Sequence, residues 1–126
     1  MIDVVYEDNH VIVVIKPVNV PSQADDSGDL DMLSMVKSYI KIKYEKPGEV
    51  YIGLIHRLDR PAGGLMVFAR TSKAASRLSE QMRLRKIEKR YFAVCGDTES
   101  PGVAGGPEVA GSPGVGVRLE AYIAKD

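Results

Sequence analysis

The spacing of apolar residues divides the chain into short strands and helices. The opening segment "VVYEDNHVIVVIKP" predicts two strands around a turn at residues 7–9. The second strand contains an unbroken apolar run over residues 11–15, which predicts burial on both of its faces. Pro17 ends that strand, and residues 17–28 are rich in the proline, serine, aspartate and glycine of surface loops.

Two later segments have the apolar spacing of amphipathic helices. The first spans residues 29–44, with acidic residues in its first turn and lysines toward its end, as the helix dipole favours. Its inward positions are Leu33, Val36, Ile40 and Tyr44. Thr71 or Ser72 caps the second helix. The inward positions of the second helix are Ala75, Leu78 and Met82.

Three more segments look extended. They are residues 51–58, then "LMVFA" at residues 65–69, interpreted as a second buried strand, and "RYFAVCG" at residues 90–96. Strands and helices alternate irregularly after an initial hairpin, which favours an α+β fold over a doubly wound parallel sheet. We therefore expect a mixed, predominantly antiparallel sheet with flanking helices.

The composition changes abruptly after residue 96. Residues 97–117 hold six glycines and three prolines without hydrophobic periodicity, which predicts a flexible loop. An alternating pattern then resumes, so residues 118–126 are predicted to begin a further strand. A chain of 126 residues has the length of one domain. Its predicted parts are a folded region over residues 1–96, the loop and this last strand.

The composition also narrows the class of protein. Hydrophobic residues make up 44% of the chain and charged residues 27%, which is typical of a globular protein rather than a disordered or fibrous one. The sequence contains no apolar run of the roughly 18 residues that a membrane span requires, and its first residues lack the layout of a signal peptide. We expect a cytoplasmic protein without a membrane partner.

Charge is distributed unevenly although the formal net charge is zero. Residues 1–50 carry a net charge of −4, residues 51–96 carry +7 and residues 97–126 carry −3. A basic middle third is the electrostatic pattern expected of a nucleic-acid contact. Solvated helix faces produce the same pattern, so charge alone leaves both interpretations open.

The segment "HRLDRPAGG" at residues 56–64 concentrates the candidate chemistry. If the chain is extended here, alternation places Leu54, His56 and Leu58 on one face. Arg57 and Asp59 are then neighbours on the other face. The sequence therefore predicts that a carboxylate and a guanidinium project from the same side of this segment.

Asp59 stands directly before a predicted bend. Pro61 and the glycines at residues 63–64 fix this bend and place the carboxylate at the lip of a strand, where a cleft could lie. Arg57 and Arg60 flank Asp59, and nearby positive charge favours the ionised form of a carboxylate. Asp59 is therefore a candidate nucleophile or electrostatic stabiliser. The alternative is a surface ion-pair cluster of Arg57, Asp59 and Arg60 at a turn.

His56 lies on the predicted core face, which favours a structural, hydrogen-bonding role over metal ligation. The only other histidine is His10 and the chain has one cysteine, so no metal site is expected. The spacing of "RPAGG" fits neither a phosphate loop nor a dinucleotide-binding motif. A hydrolase that uses His56 with Asp59 is disfavoured, because alternation puts the two on opposite faces.

Several segments together resemble the RluA-type pseudouridine synthases. "HRLDRPAGGLMVFART" is similar to the catalytic signature of that family. Three further segments keep the family's order: "YEDNHVIVVIKPVNVPSQ" resembles its opening hairpin and Lys-Pro loop, "TSKAASRLSEQM" the helix after the signature, and "EKRYFAVCG" its tyrosine-containing strand. The resemblance covers residues 3–96.

This resemblance implies an enzyme that isomerises uridine to pseudouridine in RNA without a cofactor. Asp59 matches the essential carboxylate, which would act on the ribose either as a nucleophile or by removing a sugar proton. Tyr91 matches the tyrosine of the family, which would stack on the uracil and assist the late proton removal. The alternative for Tyr91 is a strand tyrosine that packs on the sheet.

The implied partner is ribosomal or transfer RNA, whose target base must be flipped out of its stack. Arg57 would serve as a wedge or a phosphate contact beside Asp59, and Arg60 as a further substrate contact. A basic run near Tyr91 would bind phosphates. The members of this basic run are Arg83, Arg85, Lys86, Lys89 and Arg90. The alternative interpretation of the run is a solvated helix end.

The sequence departs from the family after residue 96. The family's Thr-Gly-Arg segment and His-Gln-Ile-Arg run, which supply a basic partner for the aspartate, have no counterpart, so the chain resembles the front half of a catalytic domain. An unpaired sheet edge would permit self-association. The alternative function is a catalytically inactive RNA-binding module that keeps the basic run. We expect this chain alone to form no pseudouridine, and a chain extended through the second half to form it.

Overall fold

A computed structural model describes residues 2–94 of the chain. The helices and strands, in chain order, are β1 Asp3–Glu7, β2 Val11–Lys16, α1 Met32–Lys43, β3 Gly53–Leu54, β4 Gly64–Ala69 and α2 Ser72–Arg83. The four strands form one sheet in the order β1-β2-β4-β3, and every neighbouring pair is antiparallel. The predicted α+β fold, with an antiparallel sheet and flanking helices, is confirmed. The chain divides into two units, Met1–Lys89 and Arg90–Asp126, and these six elements belong to the first.

The predicted hairpin forms, and its turn is built around Asp8. The Asp8 carboxylate accepts hydrogen bonds from the backbone N–H groups of His10 at 2.7 Å and Val11 at 2.8 Å. A short acidic side chain at this position accepts hydrogen bonds from two backbone N–H groups that a tight turn leaves without partners, which favours reversal of the chain here. β2 ends at Lys16, directly before Pro17, as predicted.

The prediction that β2 is buried on both faces is wrong. Ile12, Val14 and Lys16 are fully buried, whereas Ile15 is exposed. The buried face lies under α1, whose inward side chains join the same hydrophobic cluster. An apolar run alone does not show that both faces are covered, because apolar side chains are common on the surfaces of folded proteins.

β4 pairs with β2 along its whole length and is buried on the same side. Ile12 faces Phe68 and Val14 faces Met66 across the ladder, and these four side chains are fully buried. Leu65, on the opposite face of β4, is 59% exposed. The second predicted buried strand is therefore buried on one face only.

α1 begins later than the pattern predicts. Its N-cap is Asp31, whose carboxylate accepts a hydrogen bond from the Ser34 N–H at 3.0 Å. No acidic residue lies in the first turn, so that expectation is wrong. Asp31 lies just before the helix and acts as its cap, because its carboxylate satisfies a backbone N–H of the first turn that has no partner within the helix.

The inward face of α1 is shifted toward its first turn. Val36 and Ile40 are buried as predicted, and Met32 joins them. Leu33 is partly buried against the core. Tyr44 was expected to face inward but is the exposed C-cap residue, because the helix ends at the residue before it.

β3 is much shorter than the extended segment predicted over residues 51–58. Only Gly53 and Leu54 pair with β4, and residues 55–59 continue outside the sheet. α2 packs closely against this short strand: a Cβ atom on Gly53 would lie 2.9 Å from the Cβ of Ala75. The glycine is required here because real Cβ atoms do not approach so closely.

Thr71, one of the two predicted caps, is the N-cap of α2, and its hydroxyl accepts a hydrogen bond from the Ala74 N–H at 3.1 Å. The predicted inward positions of α2 are Ala75, Leu78 and Met82, and all three are partly buried. Ala74 is the buried residue of this helix. The helix thus lies where the sequence predicts, with a shallower contact than expected.

The strand predicted over residues 90–96 does not form in its described part. Residues 90–94 contain no strand, and Phe92 is 95% exposed. An alternating apolar pattern gives no strand by itself, because a strand also needs ladder partners. The predicted loop over residues 97–117 and the predicted strand over residues 118–126 lie outside the described residues. None of the helices within residues 2–94 is long and apolar enough to cross a membrane.

Candidate active site

Asp59 begins a tight turn that follows the end of β3. Its backbone carbonyl accepts a hydrogen bond from the Ala62 N–H at 2.9 Å. Exposure alternates before this turn, because Leu58 packs against the core while Arg57 and Asp59 are exposed. The prediction that Arg57 and Asp59 are neighbours on one face stays a prediction. Within residues 2–94, the Asp59 carboxylate makes no hydrogen bond or ion pair with a side chain. The carboxylate is therefore available to a ligand.

A buried lysine, Lys16, holds this turn through the backbone carbonyl of Arg60. The Nζ of Lys16 donates to the backbone carbonyls of Pro17 at 3.0 Å, Val20 at 2.6 Å and Arg60 at 3.0 Å. These bonds join the end of β2 and the loop after it to the residue that follows Asp59. Sequence reasoning missed Lys16, although its parity with Ile12 and Val14 on β2 would have pointed it inward.

The environment of Lys16 is electrostatically unusual. Burial lowers the pKa of its ammonium group, the Arg60 guanidinium lowers it further, and Asp59 acts in the opposite direction. Three carbonyl oxygens match the three N–H donors of an ammonium group. A buried charge that is fully hydrogen-bonded is tolerated far better than an unpaired one.

The Arg60 side chain contacts the loop before α1. Its guanidinium forms an ion pair with Asp29, lies 3.6 Å from a carboxylate oxygen of Asp25, and donates to the Ser27 hydroxyl at 3.2 Å. The alternative of a surface ion-pair cluster of Arg57, Asp59 and Arg60 is therefore wrong among the described residues. Arg60 takes its carboxylates from residues 25–29 and not from Asp59.

His56 has the structural role that the sequence favours. Its Nε2 accepts a hydrogen bond from the Val67 N–H at 3.1 Å. Burial lowers the pKa of the imidazole, and the positive charge of Lys89 lowers it further. Only a neutral imidazole has an acceptor nitrogen, so the low pKa and the hydrogen bond agree. Because Nε2 is engaged by the backbone of β4, the arrangement argues against a hydrolase that uses His56 as its base.

The glycine pair after the turn allows close packing. A Cβ on Gly63 would lie 3.1 Å from the Lys16 carbonyl oxygen and 3.3 Å from the Val18 side chain. Gly64 has a φ of 147°, which L side chains rarely adopt. The start of β4 therefore lies directly against the loop that Lys16 organises.

The first part of the basic run lies at the C-terminal end of α2. α2 ends at Arg83, and Arg85 has a left-handed backbone with a φ of 55°. The Lys86 N–H then bonds the Gln81 carbonyl at 2.9 Å, which closes the helix end. Arg83, Arg85 and Lys86 are all exposed, and the Arg83 guanidinium lies 3.7 Å from a carboxylate oxygen of Glu80.

The remaining predicted site residues lie in the second unit. Arg90 and Tyr91 are both exposed, and Tyr91 is 73% exposed. The interpretation of Tyr91 as a strand tyrosine is not met, since no strand contains it.

A model of the RNA pseudouridylate synthase family matches residues 10–110 of the chain. The match includes Lys16, the turn at Asp59 and the basic run. The chain belongs to this family. The resemblance to RluA-type pseudouridine synthases is therefore confirmed.

Individual pseudouridine synthases match over most of this chain. The mitochondrial pseudouridylate synthase RPUSD4 of Xenopus tropicalis is 33% identical over 98 residues, which cover 78% of this chain and 30% of that protein. The ribosomal large subunit pseudouridine synthase D of Xanthomonas campestris is 34% identical over 110 residues, which cover 84% of this chain and 32% of that protein. The chain thus spans about a third of the length of the curated relatives it matches.

A solved structure of the same family has the same fold. Human RNA pseudouridylate synthase domain containing 4 superposes with a TM-score of 0.57 at 26% sequence identity. The superposition covers 67% of this chain and 30% of the human chain. The described sheet and helices therefore correspond to part of a pseudouridine synthase domain.

Proposed function

We propose that this protein isomerises uridine to pseudouridine in RNA, with Asp59 as the catalytic carboxylate. The main support is that Asp59 is an exposed carboxylate on a turn fixed through the backbone carbonyls of Asp59 and Arg60. Its own side chain is not engaged by that structure. Membership of a family of RNA pseudouridylate synthases gives this free carboxylate its reaction.

The reaction breaks the C–N glycosidic bond of a uridine and joins the same uracil to the ribose through carbon. Atoms and electrons balance within the substrate, so no external oxidant, reductant or group donor is required. Asp59 acts on the ribose, either as a nucleophile or by removing a sugar proton. In both routes uracil leaves through nitrogen, and an exposed, unpaired carboxylate fits either role.

The freed uracil must rotate and rejoin before water replaces it, which requires a pocket that excludes water. In this proposal Tyr91 stacks on the uracil and assists removal of the last proton after the new bond forms. An aromatic ring suits this role because it can hold a flat base while the base turns.

The proposed RNA contacts are cations around Asp59 and along the basic run. They are Arg57, Arg60, Arg83, Arg85, Lys86 and Arg90. Arg57 is exposed two residues before Asp59, which supports a role for it as a contact to the flipped nucleotide. Arg60 would reach a phosphate only by sharing or exchanging its ion pairs with Asp25 and Asp29.

Ribosomal RNA is the first substrate to test, because matched relatives are named for the large ribosomal subunit; transfer RNA is the second. The proposal includes a cytoplasmic location, and cell fractionation tests it against the mitochondrial location in the name of the Xenopus relative. It also includes self-association through β1 or β3, the outer strands of the described sheet. Sedimentation of the purified protein tests that association.

The decisive experiment compares Asp59→Asn with Asp26→Asn. The protein expressed from its complete coding sequence is incubated with unmodified RNA, and pseudouridine is mapped chemically. Asp59→Asn should lower the rate on the order of a thousandfold or more. Asp26→Asn removes another exposed carboxylate and should leave the rate unchanged.

Two results would contradict the proposal. Full activity of Asp59→Asn would remove Asp59 from the catalytic role. Salt-sensitive RNA binding without any pseudouridine, by a wild-type protein that is folded, would instead identify a catalytically inactive RNA-binding module.

A further inference from the structure

A single buried hydroxyl bonds both backbone groups of the residue before Asp59. Ser22 is 6% exposed, and its Oγ donates to the Leu58 carbonyl at 2.6 Å and accepts from the Leu58 N–H at 3.0 Å. Residues 55–59 lie outside the described sheet, so no ladder satisfies these two groups. One serine side chain therefore takes the place of a strand partner at this point.

Ser22 is itself fixed to the start of α1. Its backbone carbonyl accepts a hydrogen bond from the Leu33 N–H at 3.1 Å, and the Pro21 carbonyl accepts one from the Met32 N–H at 2.9 Å. N–H groups in the first turn of a helix have no partner within the helix. The hydroxyl that holds the Leu58 peptide therefore belongs to a residue whose own backbone is fixed by the first turn of α1.

Lys16 holds the other side of Asp59 through the Arg60 carbonyl. The backbone on both sides of Asp59 is thus tied to residues 16–22, while the Asp59 side chain stays exposed. We infer that Ser22 is a positioning residue for Asp59, acting through its two hydrogen bonds to the Leu58 peptide. The inference rests on the proposed function of Asp59.

Loss of the Ser22 hydroxyl should affect the rate of the reaction more than RNA binding. The Leu58 N–H and carbonyl would lose their partner, and the segment leading to Asp59 would move to find another. A displacement of about 1 Å can cost on the order of a hundredfold in rate. We expect kcat to fall by about tenfold to a hundredfold, with KM for RNA unchanged, because Ser22 is buried away from the surface.

The test uses three variants of Ser22 and one matched control. Ser22→Ala removes the hydroxyl, Ser22→Cys keeps the approximate size with a weak donor, and Ser22→Thr keeps the hydroxyl. Ser34→Ala is the control, since its hydroxyl donates to the Asp31 carboxylate at 2.7 Å in the cap of α1. Each protein, expressed from its complete coding sequence, is assayed for kcat and KM, and the amide exchange of Leu58 and Phe68 is followed by NMR.

Ser22→Ala and Ser22→Cys should accelerate exchange of the Leu58 amide by about fivefold to tenfold, leave Phe68 unchanged and lower kcat. Ser22→Thr should restore both, and Ser34→Ala should resemble wild type. Wild-type kcat in Ser22→Ala would overturn the inference, as would equal acceleration at Leu58 and Phe68. Full activity of Asp59→Asn would instead remove Asp59 from the reaction, on which the inference rests. An inactive Asp59→Asn beside a fully active Ser22→Ala would remove only the role of Ser22.

Discussion

The two ends of the β2–β4 pair use their charged groups in opposite ways. At the end where β2 begins, the Glu7 carboxylate accepts hydrogen bonds from Tyr39 at 2.9 Å, from Lys43 at 3.2 Å and from Tyr44. At the end where β2 finishes, Lys16 donates only to backbone carbonyls. The Asp59 carboxylate near this second end remains unpaired by any described side chain.

This difference separates a structural carboxylate from one that can react. Burial alone would raise the pKa of Glu7, but the hydrogen bonds from Tyr44, Tyr39 and Lys43 hold it below its usual value. Those same bonds would have to break before Glu7 could act on a substrate. At the Asp59 end the stabilising bonds of Lys16 go to main-chain carbonyls and not to the Asp59 carboxylate, so this carboxylate can exchange solvent for substrate without loss of structure.

The largest expected effect comes from removing Lys16, and Lys43 at the other end provides the comparison. Lys16→Met leaves three carbonyls without their donor and should lower the free energy of unfolding by about 2–4 kcal/mol, together with activity. Lys43→Met removes a lysine that is half exposed and should cost less, with activity unchanged. Urea unfolding and the pseudouridine assay measure both effects. Equal losses from the two variants would show that the ends are not different.

A smaller effect should follow from neutralising the structural carboxylate. Glu7→Gln keeps the shape of the side chain but weakens its hydrogen bonds, and should lower the free energy of unfolding by about 1–2 kcal/mol. Because Glu7 has no contact with the Asp59 turn among its described bonds, the rate of isomerisation at saturating RNA should not change. A large fall in kcat without loss of stability would place Glu7 in the reaction.

The parts of the site that sequence reasoning predicts are those set by neighbouring residues. Alternation along residues 54–59 places Asp59 outward, and short polar side chains explain the turn at Asp8 and the cap at Thr71. These features depend on backbone geometry over a few residues. Local rules therefore suffice for the exposure of the carboxylate, the turn at Asp8 and the start of α2.

The supports of the site depend on distant partners and escape such rules. Lys16 meets Arg60 across 44 positions of sequence and Ser22 meets Leu58 across 36. The parity of Lys16 with Ile12 and Val14 points its side chain inward, but no local feature shows that its partner is the Arg60 carbonyl. A serine in a predicted surface loop has no local feature that would identify it as buried. Arg60 was predicted from its position beside Asp59, whereas its carboxylate partners come from the loop before α1.

The helix ends offer a matched pair for testing the basic run. Glu45 after α1 and Arg85 after α2 both have positive φ, at 48° and 55°. Glycine avoids the crowding of Cβ in this conformation, so Glu45→Gly and Arg85→Gly should each raise the free energy of unfolding by about 0.5–1 kcal/mol. Only Arg85→Gly removes a cation, and it should lower the slope of log affinity against log salt by about 0.7–0.9. RNA titrations at several salt concentrations measure this slope, and equal slopes in the two variants would exclude Arg85 as a phosphate contact.

The smallest expected effect is a difference in how His56 and Glu7 respond to acid. The pKa of His56 is lowered from 6.5, so its contribution to stability is complete above pH 6.5 and is lost as pH falls from there through the folded-state pKa. The pKa of Glu7 is lowered from 4.5, so its contribution is lost only below pH 4.5. His56→Gln keeps an acceptor for the Val67 N–H without titrating, and should abolish the fall in unfolding free energy that wild type shows between pH 6.5 and 5. Glu7→Gln should keep that fall and lose the fall below pH 4.5. Urea unfolding at a series of pH values measures both. If the unfolding free energy of His56→Gln fell with pH between 6.5 and 5 as steeply as that of wild type, the imidazole would not be the group responsible.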